Sequence, residues 1–183
     1  MAEMFKSAGF ETCHVGKYHV GGHEGGKATL PLAQGFDFNY GGSAAGNSGY
    51  YFARKNADSD WQFTDKVGDE LYAYAKPYDE SYIKHYRPWA NPDYHPPASL
   101  IGIPKHVGDA VTDGALDFME HHRTNGVPFF LEMNEYLVHG PLNGRPDLVA
   151  KYEQKKRFHP SKIGQDKKVA YAAMVEQFDQ QVG

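Results

Sequence analysis

The fold is decided by the stretch Gly9-Phe10-Glu11-Thr12-Cys13-His14-Val15-Gly16-Lys17-Tyr18-His19-Val20-Gly21-Gly22. Its first half, Phe10 to Val15, is typical of a short buried strand, and its second half is a glycine-rich loop. Glycines on both sides of the loop allow the backbone to adopt positive φ and to bend sharply. The loop presents Lys17 and His19 close together. Because ligands of open α/β sheets bind at the carboxyl ends of strands, this loop predicts an anion site.

Length and composition favour one globular domain with a sizeable core. The chain has 183 residues, of which 40% are hydrophobic, and its formal net charge is −4. Because it carries no basic stripe, we expect no nucleic-acid partner, and no apolar run is long enough for a membrane span. Cys13 is the only cysteine, so no internal disulfide can form. We interpret its side chain as a small buried hydrophobe of the strand.

Further elements flank this strand on both sides. Ala2 to Ala8 are typical of the last turns of a helix, with Gly9 as the residue that terminates it. A second strand-and-turn unit is predicted over residues 31–42. Its aromatic residues alternate with polar ones, which is the pattern of a half-buried strand. The alternating aromatic residues are Phe36, Phe38 and Tyr40.

A long middle segment, from about residue 50 to residue 104, has no clear period. Tyrosine, proline, aspartate and lysine dominate it, as in Lys76-Pro77-Tyr78-Asp79. Loops of this length are usually functional or disordered, and the aromatic content favours an ordered one. We therefore interpret the segment as a tyrosine- and proline-rich insertion that packs on a single domain spanning residues 1–183.

The second half of the chain alternates helix and strand. An amphipathic helix is predicted from Asp109 to Asn125, followed by a near-continuous apolar run from Val127 to Asn134 that is typical of a central parallel strand. Two further helices are predicted from Pro146 to about Lys155 and from Lys167 to Val182. The predicted apolar face of the first helix is Val111, Ala115, Phe118, Met119 and His122. That of the last is Tyr171, Met174, Val175, Phe178 and Val182.

Three cationic or titratable side chains fall on the same rim of the predicted sheet. Lys17 and His19 follow the first strand, and His139 lies in the loop after the later strand. A fixed positive charge beside two imidazoles suits an oxyanion ester, because the charge binds the anion and the imidazoles transfer protons. The sequence thus predicts a pocket for such an ester, although loop lysines and histidines are often plain solvent-exposed residues.

Other motifs are weaker. Gly16-Lys17 lacks the upstream glycine and the following Ser or Thr of a phosphate-binding P-loop. His23-Glu24 is followed by Lys27 where a zincin has its second histidine. His121 and His122 lie late in the predicted helix, so we interpret them as capping or core residues. We therefore expect neither a P-loop nor a zincin site, and no catalytic role for His121 or His122.

The opening stretch resembles the second signature of the type I, formylglycine-dependent sulfatases. Residues 9–19 match its pattern of a glycine, a Ser or Thr, Gly-Lys, an aromatic residue and His, with Phe10 where Tyr or Val is usual. Later blocks are similar to the family in the same order. These blocks are Gly35-Phe36-Asp37, Pro128-Phe129-Phe130-Leu131, His139-Gly140-Pro141-Leu142 and Tyr171-Ala172-Ala173-Met174-Val175-Glu176.

The resemblance implies an alkaline-phosphatase-like α/β/α sandwich that hydrolyses sulfate esters with calcium and a formylglycine hydrate. It implies that Lys17 binds the sulfate and the nucleophile, that His19 contacts the hydrate, and that His139 contacts sulfate near the leaving oxygen. The substrate implied is a sulfate ester of a small molecule or a glycan. Because family members are often exported, the resemblance implies a periplasmic or secreted location for the intact protein.

Some family motifs have no counterpart in this sequence. The Cys/Ser-x-Pro/Ala-x-Arg motif that yields formylglycine is absent, and so are the regions that carry the calcium ligands. We therefore expect an incomplete domain, truncated at both ends, that supplies ligands for neither group and turns over no substrate in isolation. Two alternatives stay open: a non-catalytic sulfatase-like module that binds sulfated ligands, and a phosphate-ester hydrolase on the same fold.

Overall fold

The chain forms a mixed α/β structure. The computed structural model describes residues 1–21, 29–85, 97–155 and 165–182, so the motif at 23–27 lies outside the described residues. The strands are β1 (Glu11–Gly16), β2 (Phe38–Tyr40), β3 (Arg54–Lys55), β4 (Trp61–Gln62) and β5 (Phe129–Asn134). The α-helices are α1 (Ala2–Ser7), α2 (Glu80–His85), α3 (Val107–Asn125), α4 (Pro146–Glu153) and α5 (Gln165–Val182). Short 3-10 helices lie at Pro31–Gln34, Asp69–Tyr74 and Ala98–Leu100.

β1 lies at the centre of a three-stranded sheet with the order β2-β1-β5. Both pairings are parallel. Along β5 the register runs from Glu11 opposite Phe129 to Gly16 opposite Asn134. Parallel neighbours need long crossover connections. The chain between β2 and β5 contains α2 and α3, and the described part of the chain between β1 and β2 contains the 3-10 helix Pro31–Gln34. The sheet therefore confirms the α/β class predicted from the sequence.

The prediction of a central strand at 127–134 is wrong in one respect, because β5 lies at an edge of the described sheet. Both of its faces are nevertheless covered. Phe130 stacks on Phe5 of α1 with ring centroids 4.2 Å apart, while Leu131 and Met133 pack against the hydrophobic core. A continuous apolar pattern reports two covered faces, which an edge strand can have as well as a central one.

α3 shares the hydrophobic core with Cys13 and Val15 of β1. Its N-terminus is capped by His106, whose Nδ1 accepts a hydrogen bond of 3.1 Å from the backbone N–H of Gly108. It ends at Gly126, which adopts the left-handed conformation with φ of 72°. The sequence boundaries are close to these, because a terminal glycine is a strong stop signal.

The predicted apolar face of α3 is largely confirmed. Met119 alone departs from it, with 36% of its surface exposed. His122 is buried, and its Nε2 and Nδ1 lie 2.9 Å from Glu11 Oε2 and 2.8 Å from the Phe118 carbonyl oxygen. It is therefore a core residue, as the sequence predicted. The other members of the face, all buried, are Val111, Ala115 and Phe118.

The predicted apolar face of α5 is wrong for four of its five members. Met174 is buried, but the other four are exposed by 40–67% of their surface, and these are Tyr171, Val175, Phe178 and Val182. The buried side of the helix instead carries the amides of Gln177 and Gln181, which donate hydrogen bonds of 3.0 and 2.7 Å to Asp109 Oδ1. A buried carboxylate thus sets the rotation of this helix, and an apolar periodicity cannot reveal that.

Asp109 and Arg145, both with 0% of their side chains exposed, form the centre of a polar network between α3, α4 and α5. Tyr78 donates to Asp109 Oδ2 at 2.5 Å, and Arg145 Nη1 lies 3.4 Å from the same oxygen. Arg145 also donates to both oxygens of Asp147, at 2.8 and 3.0 Å, and to Gln180 at 3.0 Å. Because buried charges are costly unless they are paired, this network fixes how the helices pack.

The middle segment packs into the same core, although its own elements are short. Its buried apolar residues contact the core residues of β1 and α3. They include Tyr51, Ala53, Phe63, Val67 and Leu71. Within the described ranges, no helix combines the length and apolar character that crossing a bilayer requires.

Candidate functional site

The site begins where β1 ends. Gly16 has φ of 89°, and a Cβ atom at this position would overlap the carbonyl oxygen of Asn134 at the end of β5. Only glycine allows this approach, because it lacks a side chain and tolerates positive φ. The backbone N–H of Lys17 then donates to the same carbonyl oxygen at 2.6 Å. The lysine is thereby held at the carboxyl ends of two adjacent parallel strands.

A cavity of about 680 Å³ opens at these strand ends. One wall is polar and consists of Lys17, Tyr18, His19, Asn134 and Glu135. The remaining wall is apolar and consists of Met133, Leu137, Phe178 and Val182. Among the residues that the structure describes, no carboxylate lies within ion-pair distance of the Lys17 ammonium group. The charge of Lys17 is therefore available to an anion that enters the cavity.

His19 is held by its backbone and by the small residues of the 43–48 loop. It has φ of 51°, and its N–H donates to the carbonyl oxygen of Ser43 at 3.2 Å. A Cβ atom at Gly46 would lie 2.6 Å from the ring nitrogen Nε2, so the glycine is what leaves room for the imidazole. Lys17 and His19, which the sequence singled out, therefore line one cavity.

His139 lies in the loop after β5 and is exposed, but it is not among the residues that line this cavity. The Tyr51 hydroxyl accepts from its N–H at 3.2 Å and donates to its carbonyl oxygen at 2.8 Å. Its ring Nδ1 lies 2.7 Å from the Gly140 carbonyl oxygen. Because a carbonyl oxygen only accepts, Nδ1 carries the proton in this arrangement and Nε2 is left as the basic nitrogen. His139 therefore lies in the loop after β5, outside the cavity that Lys17 and His19 line.

His14 forms a hydrogen-bonded bridge across the sheet that the sequence did not reveal. Its Nδ1 lies 3.3 Å from Asn39 Oδ1 on β2, and its Nε2 lies 3.3 Å from the Asn134 amide nitrogen on β5. The amide nitrogen also donates to Glu132 at 2.9 Å. Since an amide nitrogen only donates, Nε2 accepts and the ring is neutral. Burial lowers the pKa of His14, which keeps it so.

Glu135 is a second residue that the sequence analysis missed. Both of its carboxyl oxygens are buried, and neither has a hydrogen-bond partner among the described residues. Burial, with a smaller contribution from the charge of Asp109, raises its pKa well above its usual range. The side chain is therefore neutral at pH values where an ordinary glutamate is ionised, and it does not cancel the charge of Lys17. The available signal was an acidic residue directly after an apolar strand.

The part of the chain that the structure describes shows no clustered metal-ligating side chains, and its cysteine is buried. No three His, Cys, Asp or Glu side chains within the described ranges lie together so that they could hold a metal ion such as calcium. Cys13 is fully buried in the core, and burial raises the pKa of its thiol to about 12. A thiol in that position does not fit an active-site nucleophile, because it faces away from solvent and is held in the protonated form.

A solved structure gives the class of the fold. The crystal structure of Ps i-CgsB in complex with k-i-k-neocarrahexaose superposes with a TM-score of 0.57 and 17% sequence identity, covering 100% of this chain and 34% of that one. Together with the parallel sheet and the cavity at its carboxyl edge, this match defines an α/β protein of the alkaline-phosphatase-like class, of which the chain represents a part.

Sequence relatives give the family, although no family model matches the chain. A sulfatase from Formosa agariphila is 34% identical over 192 residues, which is 100% of this chain and 32% of that protein. Arylsulfatase G from Rattus norvegicus is 26% identical over 166 residues, which is 85% of this chain and 28% of that protein. The chain belongs to the sulfatase family and spans about a third of the length of these relatives.

Proposed function

We propose that this chain forms one wall of a sulfate-ester site and that the whole protein is a sulfuric ester hydrolase. The observation that carries the proposal is Lys17: an ammonium group without a carboxylate partner among the described residues, at the carboxyl edge of a parallel sheet. A sulfate ester carries one negative charge, which matches one fixed cation. The sulfatase relatives support sulfate as the anion.

The histidines provide the acid and base groups. His19 lines the cavity beside Lys17 and can donate to or accept from an oxygen of the bound sulfate. His139 follows β5 in the chain, and its Nε2 is unengaged among the described residues, so a protonated His139 can donate to the leaving oxygen of an ester that extends beyond the cavity. In this proposal Lys17 binds, while His19 and His139 handle protons.

The ligand we propose is a sulfated glycan. Neocarrahexaose, the ligand named with the solved structure that shares this fold, is a hexasaccharide of carrageenan, which is a sulfated galactan. A sugar ring presents hydroxyls and an apolar C–H face, and the cavity has a polar and an apolar wall. This lining supports a sulfated sugar over a bare sulfate ion.

Calorimetry of sulfate binding by the full 183-residue chain tests the proposal. Lys17→Met keeps most of the side-chain stem and removes the charge, so we expect affinity to fall about tenfold or more, as for a lost charged hydrogen bond. Lys168→Met is the matched control, because Lys168 is exposed on α5 and lies away from the cavity. Equal affinity for the wild type and for Lys17→Met would overturn the proposal.

A second candidate is a module that binds sulfated ligands without hydrolysing them. The burial of Cys13 favours it for the chain as it stands, since the only thiol is sealed in the core. We expect sulfate binding without release of phenol from an aryl sulfate. Measurable hydrolysis that Lys17→Met abolishes would instead establish catalysis by the chain itself. Phosphate binding tighter than sulfate binding would favour a phosphate-ester site on this fold.

A further inference from the structure

The cavity beside Lys17 is larger than a sulfate group needs. Ligand pockets of about 300–1,000 Å³ typically enclose drug-sized molecules, and this cavity measures about 680 Å³. A sulfate group has only five heavy atoms, so most of the space remains for the group to which the sulfate is attached. The composition of the apolar wall therefore bears on which sulfate esters fit.

Part of the apolar wall comes from α5. Phe178 and Val182 lie one helical turn apart and both line the cavity. Phe178 is 40% exposed and does not belong to the hydrophobic core, which α5 contacts through Met174 one helical turn earlier. An aromatic ring that is partly open to water and lines a cavity is well placed to pack against the apolar face of a ligand ring.

The two walls differ in charge. Lys17 supplies a positive charge on one side, and Glu135 adds no negative charge there because its buried carboxyl group is neutral. The α5 side contributes only apolar side chains to the lining. A ligand with an anionic end and an apolar ring face can contact both walls, whereas a bare anion can interact only with the polar wall.

We propose that Phe178 is a specificity-determining residue of the sulfate-ester site: it packs against the ring that bears the sulfate and selects ring-bearing esters over inorganic sulfate. This inference rests on the proposed function, because it takes the anion at Lys17 to be sulfate. The shared chemistry is a sulfated ring with an apolar face, which a sugar or an aryl group can provide.

Calorimetry with the full chain and four probes tests the inference: inorganic sulfate, sulfated neocarrahexaose, its desulfated form and 4-nitrophenyl sulfate. For Phe178→Ala we expect a five- to tenfold loss of affinity for the sulfated hexasaccharide and a change within twofold for inorganic sulfate. Val175→Ala is the matched control, because Val175 is exposed on the same helix but does not line the cavity. It should leave both affinities within twofold, and Phe178→Tyr, which keeps the ring, should retain the wild-type preference.

The outcomes are separable. If Lys17→Met changes no affinity, the proposed function fails and this inference fails with it. If Lys17→Met weakens binding but Phe178→Ala matches the wild type for both ring-bearing esters, only the inference about Phe178 is overturned. A loss with 4-nitrophenyl sulfate alone identifies an aryl group as the partner, and a loss with the sulfated hexasaccharide identifies a sugar. Unchanged melting temperatures of the variants exclude misfolding as the cause.

Discussion

Arg145 and Lys17 are both cations, but the molecule surrounds them in opposite ways. The Arg145 guanidinium is fully buried and is bonded to two aspartates and a glutamine. Lys17 lines an open cavity, and no carboxylate of the described residues is within ion-pair distance. Arg145 therefore has its anionic partners inside the fold. The charge of Lys17 is available to an anionic ligand.

The contrast between Arg145 and Lys17 shows that one charged residue can stabilise the fold while another is available to bind a ligand. Burial alone would raise the pKa of Asp109, but Arg145 and His106, together with hydrogen bonds from Tyr78 and Gln177, more than offset it and hold that pKa well below its usual range. Removal of Arg145 would leave the Asp109 carboxylate buried without its cation, which is strongly destabilising. Lys17 has no carboxylate partner among the described residues, so its removal leaves no buried charge unpaired there.

Arg145→Met should have the largest effect. We expect the free energy of unfolding to fall by about 3–5 kcal/mol, because Asp109 is left buried without its cation. Urea denaturation monitored by circular dichroism measures this. Arg123→Met is the control, since the Arg123–Glu120 pair is exposed and such pairs contribute at most about 1 kcal/mol. Equal losses for the two variants would contradict the contrast.

His106 should make the buried network sensitive to acid. Burial lowers its pKa from an ordinary value of 6.5 to about 4. The unfolded chain therefore binds a proton below about pH 6.5 that the folded chain binds only near pH 4. Stability from this group is present above that window and falls as the pH drops through it, by about 3 kcal/mol in total.

His106→Asn keeps a side chain that can cap α3 but does not titrate. Denaturation at pH 7 and at pH 4 should show a loss between the two pH values that is about 3 kcal/mol smaller in the variant than in the wild type. The other titrating groups are the same in both proteins and cancel in this difference. A loss of the same size in both proteins would show that His106 does not titrate in this range.

Gly16→Ala should disturb the junction between β1 and β5. A new Cβ atom would overlap the Asn134 carbonyl oxygen, which the Lys17 N–H also uses. Gly9→Ala is the matched control, because Gly9 has a similar φ of 87° and nothing lies within 4 Å of its added Cβ. We expect Gly16→Ala to be less stable than Gly9→Ala by about 1–3 kcal/mol, as for overpacking. Similar melting curves would mean that the strand ends can separate freely.

Lys17→Met should have the smallest effect on stability, within about 0.5 kcal/mol, while it abolishes most sulfate binding. The same urea titrations measure it. A stability loss above 2 kcal/mol would mean that the ammonium group has a structural partner, and the contrast with Arg145 would then disappear.

The elements were largely predictable because local signals marked them. β1 runs into a glycine loop, and α3 stops at Gly126, so periodicity and glycine placement located both within a few residues. Position in the sheet was not predictable, because an apolar run reports covered faces and not neighbours. The buried face of α5 was predicted wrongly for a similar reason. Gln177 and Gln181 turn inward to Asp109, which is far away in the sequence.

The candidate site was predictable in part. Lys17 and His19 were found because a lysine and a histidine follow a strand, and the structure places both at one cavity. The catalytic roles of Lys17, His19 and His139 stay predictions. His14 and Glu135 were missed because their significance lies in burial and in contacts across the sheet. His14 and the Asn134 amide, for example, are 120 residues apart in the chain.

That separation has a consequence for how the protein is made. The central strand β1 is synthesised well before β5, because the partner that fixes Lys17 is the backbone of Asn134, 120 residues after His14. At about 5–20 residues per second, the ribosome needs several seconds to deliver it. During that interval one edge of β1 has no partner, and pairing between such distant segments is slow to form. Until β5 has emerged, that open strand edge of the nascent chain is a site at which another chain can pair and aggregation can begin.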